Sequence, residues 1–322
     1  MCGQAQANVA WCYHRNVTIP RKVGGVFSAE RRLHAIRGLV DIFPRGLRQL
    51  TRKVLRFSAA RLGDIVDAAQ FVTGRRDPLL PPRRMIFVGS NSIIKADYHV
   101  IGRELVDLAV RMAGLRPESS VLEVGSGTGR IASTLTTILS SEGRFEGFEI
   151  VPAGVQWCQT RITPRFPRFH FTHADVFNAV YNPAGRENAA TYQFPYESGS
   201  FDIVMATSVL THMFRVDAAH YLSEAARVLR PGGRTFITHF LSTPLSRAAV
   251  TEGRSAMRFL FPVPDGLTID AAAPEDAIAI DLDAVTSDYQ QAGLIIDAVH
   301  VGRWTGNLDG AHFQDIIVAR KA

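Results

Sequence analysis

The chain has little cysteine and no long apolar run, and each shortage excludes a class of protein. Its 322 residues include three cysteines, Cys2, Cys12 and Cys158, without the paired spacing of a disulfide framework or a zinc site. No apolar run approaches the length of about 18 residues that spans a bilayer. The N-terminus also lacks the apolar core of a secretory signal. We therefore expect a reducing cytoplasm as the compartment.

Net positive charge is confined to the N-terminal quarter of the chain. Residues 1–84 hold sixteen Lys or Arg against five Asp or Glu, a net charge of +11, whereas the remaining residues carry −5. Apolar residues at helical spacing within 30–72 predict a basic amphipathic helix. Such a helix can make a peripheral contact with an anionic membrane or bind an acidic partner. We favour a helix that packs on the domain and solvates its basic face.

The order of predicted elements indicates an α/β main domain. Prolines within 77–82 predict a linker, which separates a basic, largely helical extension over 1–84 from a domain over 85–322. Apolar strand-like runs alternate with helical patterns in that domain, which favours a parallel sheet. The predicted strands are 120–124, 144–150, 169–172, 201–207, 234–240, 295–304 and 313–319. Several Gly and Pro in 241–280 predict a lid-like inserted segment.

The stretch VLEVGSGTGR, residues 121–130, carries the clearest motif. A short apolar strand leads into Gly125, Gly127 and Gly129, and a helical pattern follows. Glycines let a ligand approach the backbone closely, and a helix N-terminus offers unpaired N–H groups. A dinucleotide fingerprint needs a glycine where Arg130 stands, so a nicotinamide-dependent oxidoreductase is disfavoured.

A carboxylate at the end of the second strand adds to this pattern. Glu149 follows Gly129 by twenty residues, at the position where Rossmann-like folds bind a ribose. A carboxylate suits a diol because it accepts two hydrogen bonds and donates none.

Together these residues resemble motif I and the following motifs of the class I S-adenosylmethionine (SAM)-dependent methyltransferases, and ARVLRPGG at 226–233 is a further shared string. The resemblance covers about residues 85–320 and is closest to bacterial small-molecule methyltransferases. It implies a Rossmann-like, seven-stranded mixed sheet flanked by helices, with SAM as cofactor. The cofactor-binding residues it implies are Glu123, Gly125, Ser126, Gly127, Gly129, Glu149, Ile150, Asp175, Val176 and Thr207.

The roles implied by the family differ among these residues. Glu123 would lie near the methionine part of SAM, and the glycines would wrap the cofactor. Asp175 would pair with the adenine amino group, and Val176 would supply a neighbouring backbone N–H. Methylases of nucleic-acid bases often carry Pro-Pro after the fourth strand, and its absence after Thr207 disfavours a nucleic-acid acceptor.

A long connection over 177–200 is rich in aromatic and amide side chains, which suit a polyhydroxylated or planar acceptor. Packing of these aromatics onto the sheet is the alternative, and both interpretations stay open. A small molecule or a glycan is the expected acceptor. The candidate substrate-binding residues, including two outside this connection, are Tyr98, Tyr181, Asn182, Arg186, Tyr192 and Trp304.

A hydroxyl acceptor needs a general base near neutral pH, and histidine is the best candidate. His212 follows the fourth strand and is preferred; His239 at the end of the fifth is the alternative. No residue cluster has clear metal-ligand spacing. The sequence therefore predicts an O-methyltransferase. The alternative is a non-catalytic SAM-binding module that docks on a membrane or partner through the extension.

Overall fold

The structure of the protein is a computed structural model, which describes residues 63–86, with breaks at 64, 71 and 75, and residues 98–322. Most of the basic extension, including most of the amphipathic helix predicted over 30–72, lies outside the described residues. Within these ranges no helix combines the length and the apolar character needed to cross a membrane.

Seven strands form the central sheet. In chain order they are β1 (Ser120–Val124), β2 (Arg144–Glu149), β3 (Phe169–His173), β4 (Phe201–Ala206), β5 (Leu229–His239), β10 (Leu294–His300) and β11 (Asp315–Lys321). Their spatial order is β10-β11-β5-β4-β1-β2-β3. The five strands from β3 to β5 are parallel, and β11 is antiparallel to both of its neighbours.

Helices cover both faces of this sheet. They are α1 (Tyr98–Ala113), α2 (Arg130–Leu135), α3 (Pro152–Arg161), α4 (Arg215–Val228) and α6 (Leu282–Gln291). Alternate residues of a strand point to opposite faces. Val121 therefore packs in the apolar cluster with α1, α2 and α3, whereas Leu122 packs in the cluster with α4 and α6. The predicted seven-stranded mixed sheet flanked by helices is confirmed.

Strand β5 begins earlier than the sequence predicts. Residues 230–233, Arg-Pro-Gly-Gly, lie inside β5 instead of forming a turn before it. Leu229 already pairs with Phe201 of β4, and the register then shifts before Ile203. The close approach of the two strands explains Gly233: a Cβ there would lie 2.9 Å from the Leu229 side chain and 3.1 Å from the Asp202 carbonyl.

The inserted segment predicted over 241–280 forms a second, smaller sheet. Its strands are β6 (Leu241–Ser242), β7 (Phe261–Val263), β8 (Gly266–Thr268) and β9 (Ile278–Asp281), in the order β6-β9-β8-β7. Helix α5 (Pro244–Thr251) follows β6, and a 3-10 helix, Pro274–Asp276, precedes β9. We call residues 241–281 the insertion.

The predicted proline-rich linker packs against the main domain. Leu80 and Ile86 are buried in one cluster with Tyr98, the first residue of α1. Arg83 is buried as well, and its guanidinium lies 3.2 Å from the carboxylate of Asp67. Because Leu80 is buried, the proline-rich stretch is anchored to the domain and is not a flexible linker.

Candidate active site

The candidate site lies at the carboxyl ends of the parallel strands. The chain runs outward from β1 to β2 and β3, and then returns to the other side of β1 to form β4. Open α/β sheets bind ligands in the crevice at such a reversal of strand order. The glycine loop, Glu149, Asp175 and His212 all follow strands at this edge.

The three glycines of the loop are required for different structural reasons. All have positive φ: 71° at Gly125, 56° at Gly127 and 81° at Gly129. A Cβ at Gly125 would lie 2.5 Å from Val209, and one at Gly129 would lie 2.5 Å from Ile162. No atom lies within 4 Å of a Cβ at Gly127. The first and last glycines therefore serve packing, whereas the middle one borders open space.

Glu149 is tied to the glycine loop. One carboxylate oxygen accepts a hydrogen bond from the Gly127 N–H at 2.7 Å, and the other accepts from the Val151 N–H at 2.8 Å. Burial raises the pKa of the carboxyl group, and these backbone N–H groups oppose the rise. Each oxygen has a second lone pair with which to accept a hydrogen bond from a ligand.

Glu123 carries a buried carboxylate oxygen that lacks a hydrogen-bond partner within the described part of the chain. Burial raises the pKa of Glu123 well above its usual range; the charge of Glu149 adds to the rise, and the Arg130 guanidinium opposes it. Tyr98, buried nearby, donates to the Thr128 carbonyl at 2.7 Å. A buried unpaired polar atom is costly, so the Glu123 oxygen is suited to a ligand that donates a hydrogen bond.

The residues predicted around adenine are arranged differently from one another. Asp175 pairs with Arg186, with 2.5 Å between carboxylate oxygen and guanidinium nitrogen, and this pair lowers the pKa of Asp175. Arg186 is 86% exposed, so it is a surface ion pair. Val176 and Thr207 are buried, and Ile150 is partly buried against the core.

His212 lies in a 3-10 helix, Leu210–His212, that follows β4. Its Nδ1 lies 2.9 Å from the backbone carbonyl of Glu275. A carbonyl only accepts hydrogen bonds, so in the neutral ring Nδ1 carries the proton and the lone pair lies on Nε2. The backbone of Asp276 is a second hydrogen-bond partner of the imidazole. Burial lowers the pKa of His212 below its usual value. The ring of Tyr181 stands edge-on to it, with centroids 5.4 Å apart.

The second candidate base has a different environment. His239 is 3% exposed at the end of β5, and its Nε2 lies 3.0 Å from the Tyr289 hydroxyl. Burial lowers its pKa to about 3. A ring enclosed in this way has no open path to an acceptor, so we retain His212 as the candidate base.

Four predicted substrate-binding residues are buried in the fold. The Trp304 indole donates to Asp315 and packs against Phe240 and Phe259. Asn182 donates from its amide to the Val176 carbonyl. The others, Tyr98 and Tyr192, are 2% and 7% exposed. Tyr181, at 40% exposure, is the predicted residue that lies both at the surface and beside His212.

Three residues near the site were missed by the sequence analysis. Arg130 was noted only for breaking a fingerprint, yet it is the basic group acting on Glu123. Asn178 accepts from the N–H groups of Val180 and Tyr181, a turn whose Asn was a usable signal. Glu275 contacts His212 because of the way the insertion folds, and no local sequence pattern indicates that contact. In the part of the chain that the structure describes, no His, Cys, Asp and Glu side chains group as a metal site.

Comparison with known proteins gives a family for this arrangement. A family model described as a methyltransferase domain matches residues 122–237. The 27-O-demethylrifamycin SV methyltransferase of Amycolatopsis mediterranei (strain S699) is 28% identical over 59% of this chain and 59% of its own length. A phthiotriol/phenolphthiotriol dimycocerosates methyltransferase of Mycobacterium leprae (strain TN) is 30% identical over 48% of this chain and 47% of its own. The chain thus spans less than two thirds of either relative.

One solved structure is also similar to this chain. The 1,6-didemethyltoxoflavin-N1-methyltransferase of Burkholderia thailandensis, with bound 1,6-didemethyltoxoflavin and S-adenosylhomocysteine, is 16% identical. It covers 83% of this chain and 89% of its own, with a TM-score of 0.44.

The matched range begins in β1 and ends in β5, so it includes the glycine loop, Glu149, Asp175 and His212. It therefore confirms the resemblance drawn from the motifs. Residues 122–237 thus match a methyltransferase domain, and the motifs and relatives together support the class I SAM-dependent methyltransferase superfamily, with S-adenosylmethionine as cofactor.

Proposed function

We propose that the protein transfers a methyl group from SAM to a hydroxyl oxygen of a small-molecule acceptor. His212 carries this proposal, because its Nδ1 is bound by the Glu275 carbonyl and its Nε2 is left with a free lone pair. Burial lowers its pKa, so the ring is neutral at physiological pH and can accept a proton.

The residues at the glycine loop fit the cofactor. The unpartnered oxygen of Glu123 suits an ammonium group such as that of the methionine part. The open space at Gly127 admits a ligand against the backbone, and Glu149 can accept from ribose hydroxyls. When bound, SAM supplies an electrophilic methyl group on a sulfonium.

His212 would act on the acceptor hydroxyl. Its Nε2 would take the proton as the oxygen bonds to the methyl carbon and the bond from that carbon to the sulfonium breaks, which releases S-adenosylhomocysteine. The Glu275 carbonyl would stabilise the resulting imidazolium through the Nδ1–H. Alignment of the oxygen with the methyl and sulfur supplies the rest of the acceleration. Tyr181 lies against the ring, where it can fix the position of the acceptor.

The loop that carries Tyr181, together with the charges that act on His212, favours an uncharged acceptor with an apolar part. Phe177, Val180 and Tyr181 are 51%, 45% and 40% exposed within five residues of chain. The charges that act on His212 and Tyr181 are acidic, chiefly Asp276, which would repel a phosphate or carboxylate. The names of the two relatives, which act on a demethylated rifamycin and on phthiotriol dimycocerosates, agree with a small-molecule acceptor. A glycan acceptor stays a prediction.

The test has two parts. Calorimetry should detect SAM binding to the full chain, and radiolabelled SAM should label one member of a panel of phenols, macrocyclic alcohols, lipid alcohols and sugars. The variant His212→Asn should bind SAM but fail to transfer the label. SAM binding without transfer to any acceptor would instead support the non-catalytic binding module, and equal transfer by the variant would remove His212 from the mechanism.

A further inference from the structure

Glu275 makes two hydrogen bonds that no methyltransferase motif accounts for. Its backbone carbonyl accepts from the Nδ1 of His212 at 2.9 Å. Its carboxylate oxygen accepts from the side-chain amide of Asn178 at 2.9 Å. One residue of the insertion therefore contacts both the candidate base and the loop that follows β3.

Asn178 transmits the second contact to Tyr181. Its side-chain oxygen accepts from the N–H groups of Val180 and Tyr181, at 3.0 and 2.9 Å, and so closes a tight turn. This turn carries Tyr181, whose ring stands against His212 at 5.4 Å. The Asn178 side chain thus donates to Glu275 from its amide nitrogen, and its oxygen holds the turn that positions Tyr181.

The 3-10 helix that carries Glu275 is itself held in place. The hydroxyl of Thr268, in β8, contacts the carbonyls of Pro274 and Ala277, each at 2.9 Å, on either side of Glu275. Thr268 is buried and pairs with Ile278 of β9. Glu275 is therefore fixed by the small sheet, and it can hold the ring and the turn in one arrangement.

We propose that Glu275 is a positioning residue, which fixes the Nδ1-protonated form of His212 with its carbonyl and holds Tyr181 beside that ring through Asn178. This rests on the proposed function, in which Nε2 must be the free nitrogen. The insertion would then be part of the acceptor site.

The charged groups around the ring are few within the described ranges. Asp276 neighbours Glu275 on the same 3-10 helix and acts on His212, and Tyr181 faces the ring from the loop. Asp217 of α4 acts on the Glu275 carboxylate. None of the three is a hydrogen-bond partner of the Asn178 amide, and the Glu275 carboxylate also accepts from the backbone of Ala179.

Substitutions at the two ends of this bond separate its role from general stability. Asn178→Asp keeps an oxygen for the turn but cannot donate to Glu275, and it sets two carboxylates face to face. Glu275→Gln alone retains an oxygen that accepts from Asn178. In the double variant the two groups exchange places, because the introduced amide can donate to the introduced carboxylate. Glu252→Ala, at an exposed glutamate of the insertion, is the matched control.

The measurement is nitrogen NMR of the full chain labelled with ¹⁵N-histidine, with His212→Asn to assign the signal. We expect the wild-type chain, Glu275→Gln and Glu252→Ala to show the Nδ1-protonated ring. Asn178→Asp should show a mixture of both neutral forms, and the double variant should restore the single form. An unchanged ring in Asn178→Asp, or no recovery in the double variant, overturns the proposal.

Turnover on an acceptor found in the screen gives a second readout. Asn178→Asp should lower kcat by up to about 100-fold, the scale of a misplaced group, with SAM affinity unchanged. The double variant should recover most of this loss. The NMR measurement needs neither acceptor nor cofactor. A wild-type chain without turnover therefore counts against the proposed function, whereas the positioning role of Glu275 is tested by the histidine signal alone.

Discussion

At the scale of single residues, the two acidic groups of the cofactor site are held in opposite ways. Both oxygens of Glu149 accept backbone N–H groups, and one of these belongs to the glycine loop itself. One oxygen of Glu123 has no partner among the described residues. Glu149 is therefore oriented before any ligand binds, whereas the buried Glu123 oxygen can accept a hydrogen bond that the described residues do not supply.

Glu149→Ala should weaken SAM binding by about 1–3 kcal/mol, the scale for losing hydrogen bonds to a charged group. The reason is that, in our proposal, this carboxylate accepts hydrogen bonds from the ribose hydroxyls. Isothermal calorimetry measures the change. Glu142→Ala, at an exposed residue shortly before β2, is the control. Unchanged SAM affinity in Glu149→Ala would remove this residue from the cofactor site.

His212→Asn should lower kcat by about 10²–10⁴-fold, the usual range for loss of a general base, and leave SAM affinity nearly intact. Asparagine can keep a hydrogen bond to the Glu275 carbonyl, but it cannot accept the proton. The acidic limb of the pH–rate profile should disappear with it. Because burial lowers the pKa of His212, that limb in the wild-type chain should lie below the usual histidine value. A limb that persists in the variant contradicts the assignment.

At the scale of elements, the sequence predicts those strands and turns that are determined by local patterns of apolar residues and glycines. Apolar runs located β1 to β4, and the glycine spacing located the turn into α2. The Arg-Pro-Gly-Gly stretch was misplaced, because its pairing with β4 depends on a distant strand. The contact between His212 and Glu275 joins residues 63 positions apart through the insertion, so no local pattern could indicate it.

Two glycines of the same turn should respond differently to alanine. Gly129→Ala combines a positive φ with a Cβ 2.5 Å from Ile162, so it should destabilise the fold by about 1–3 kcal/mol. Gly127→Ala combines a positive φ with free space around the new Cβ. It should therefore destabilise the fold less than Gly129→Ala does, and its main effect should be a loss of SAM affinity. Thermal unfolding and calorimetry on both variants separate the effects. Equal loss of stability would show that Gly127 is also a packing position.

At the scale of the whole molecule, the described stretch before α1 is part of the folded domain. Leu80 is buried against Ile86 and Tyr98, and Arg76 donates to the carbonyls of Leu80 and Pro81. A boundary at Met85 therefore cuts through packed residues. Nothing in this stretch belongs to the sheet or to the glycine loop.

A chain lacking residues 1–58 should keep the stability of the domain and its SAM affinity, because it retains Asp67, the partner of the buried Arg83. A chain lacking residues 1–84 should still bind SAM, but it should lose about 1.5–3 kcal/mol, the value of one buried leucine, because Leu80 is gone. Chemical denaturation of the two shortened chains measures the difference. If the longer deletion abolishes SAM binding while the shorter one does not, residues 59–84 support the cofactor site itself.

The response of the whole fold to acid should depend on two buried groups whose effects have opposite sign. The pKa of His239 falls from 6.5 to about 3 in the folded chain, so below about pH 6.5 the unfolded chain binds the extra proton and stability falls on acidification. The pKa of Asp315 rises from 3.8 to about 6, so the folded chain binds the extra proton and stability rises on acidification. These residues pair across β5 and β11.

His239→Gln should therefore change the slope of stability against pH. Between about pH 6 and 4 each of the two groups contributes about 1.4 kcal/mol per pH unit, with opposite sign, so their effects largely cancel in the wild-type chain. The variant loses the His239 effect and keeps that of Asp315, so it should gain stability on acidification relative to the wild-type chain, whatever it loses in packing at neutral pH. Urea unfolding at half-unit steps across this range measures both slopes. Parallel curves would mean that His239 is protonated in the folded core, with the Tyr289 hydroxyl accepting from its ring.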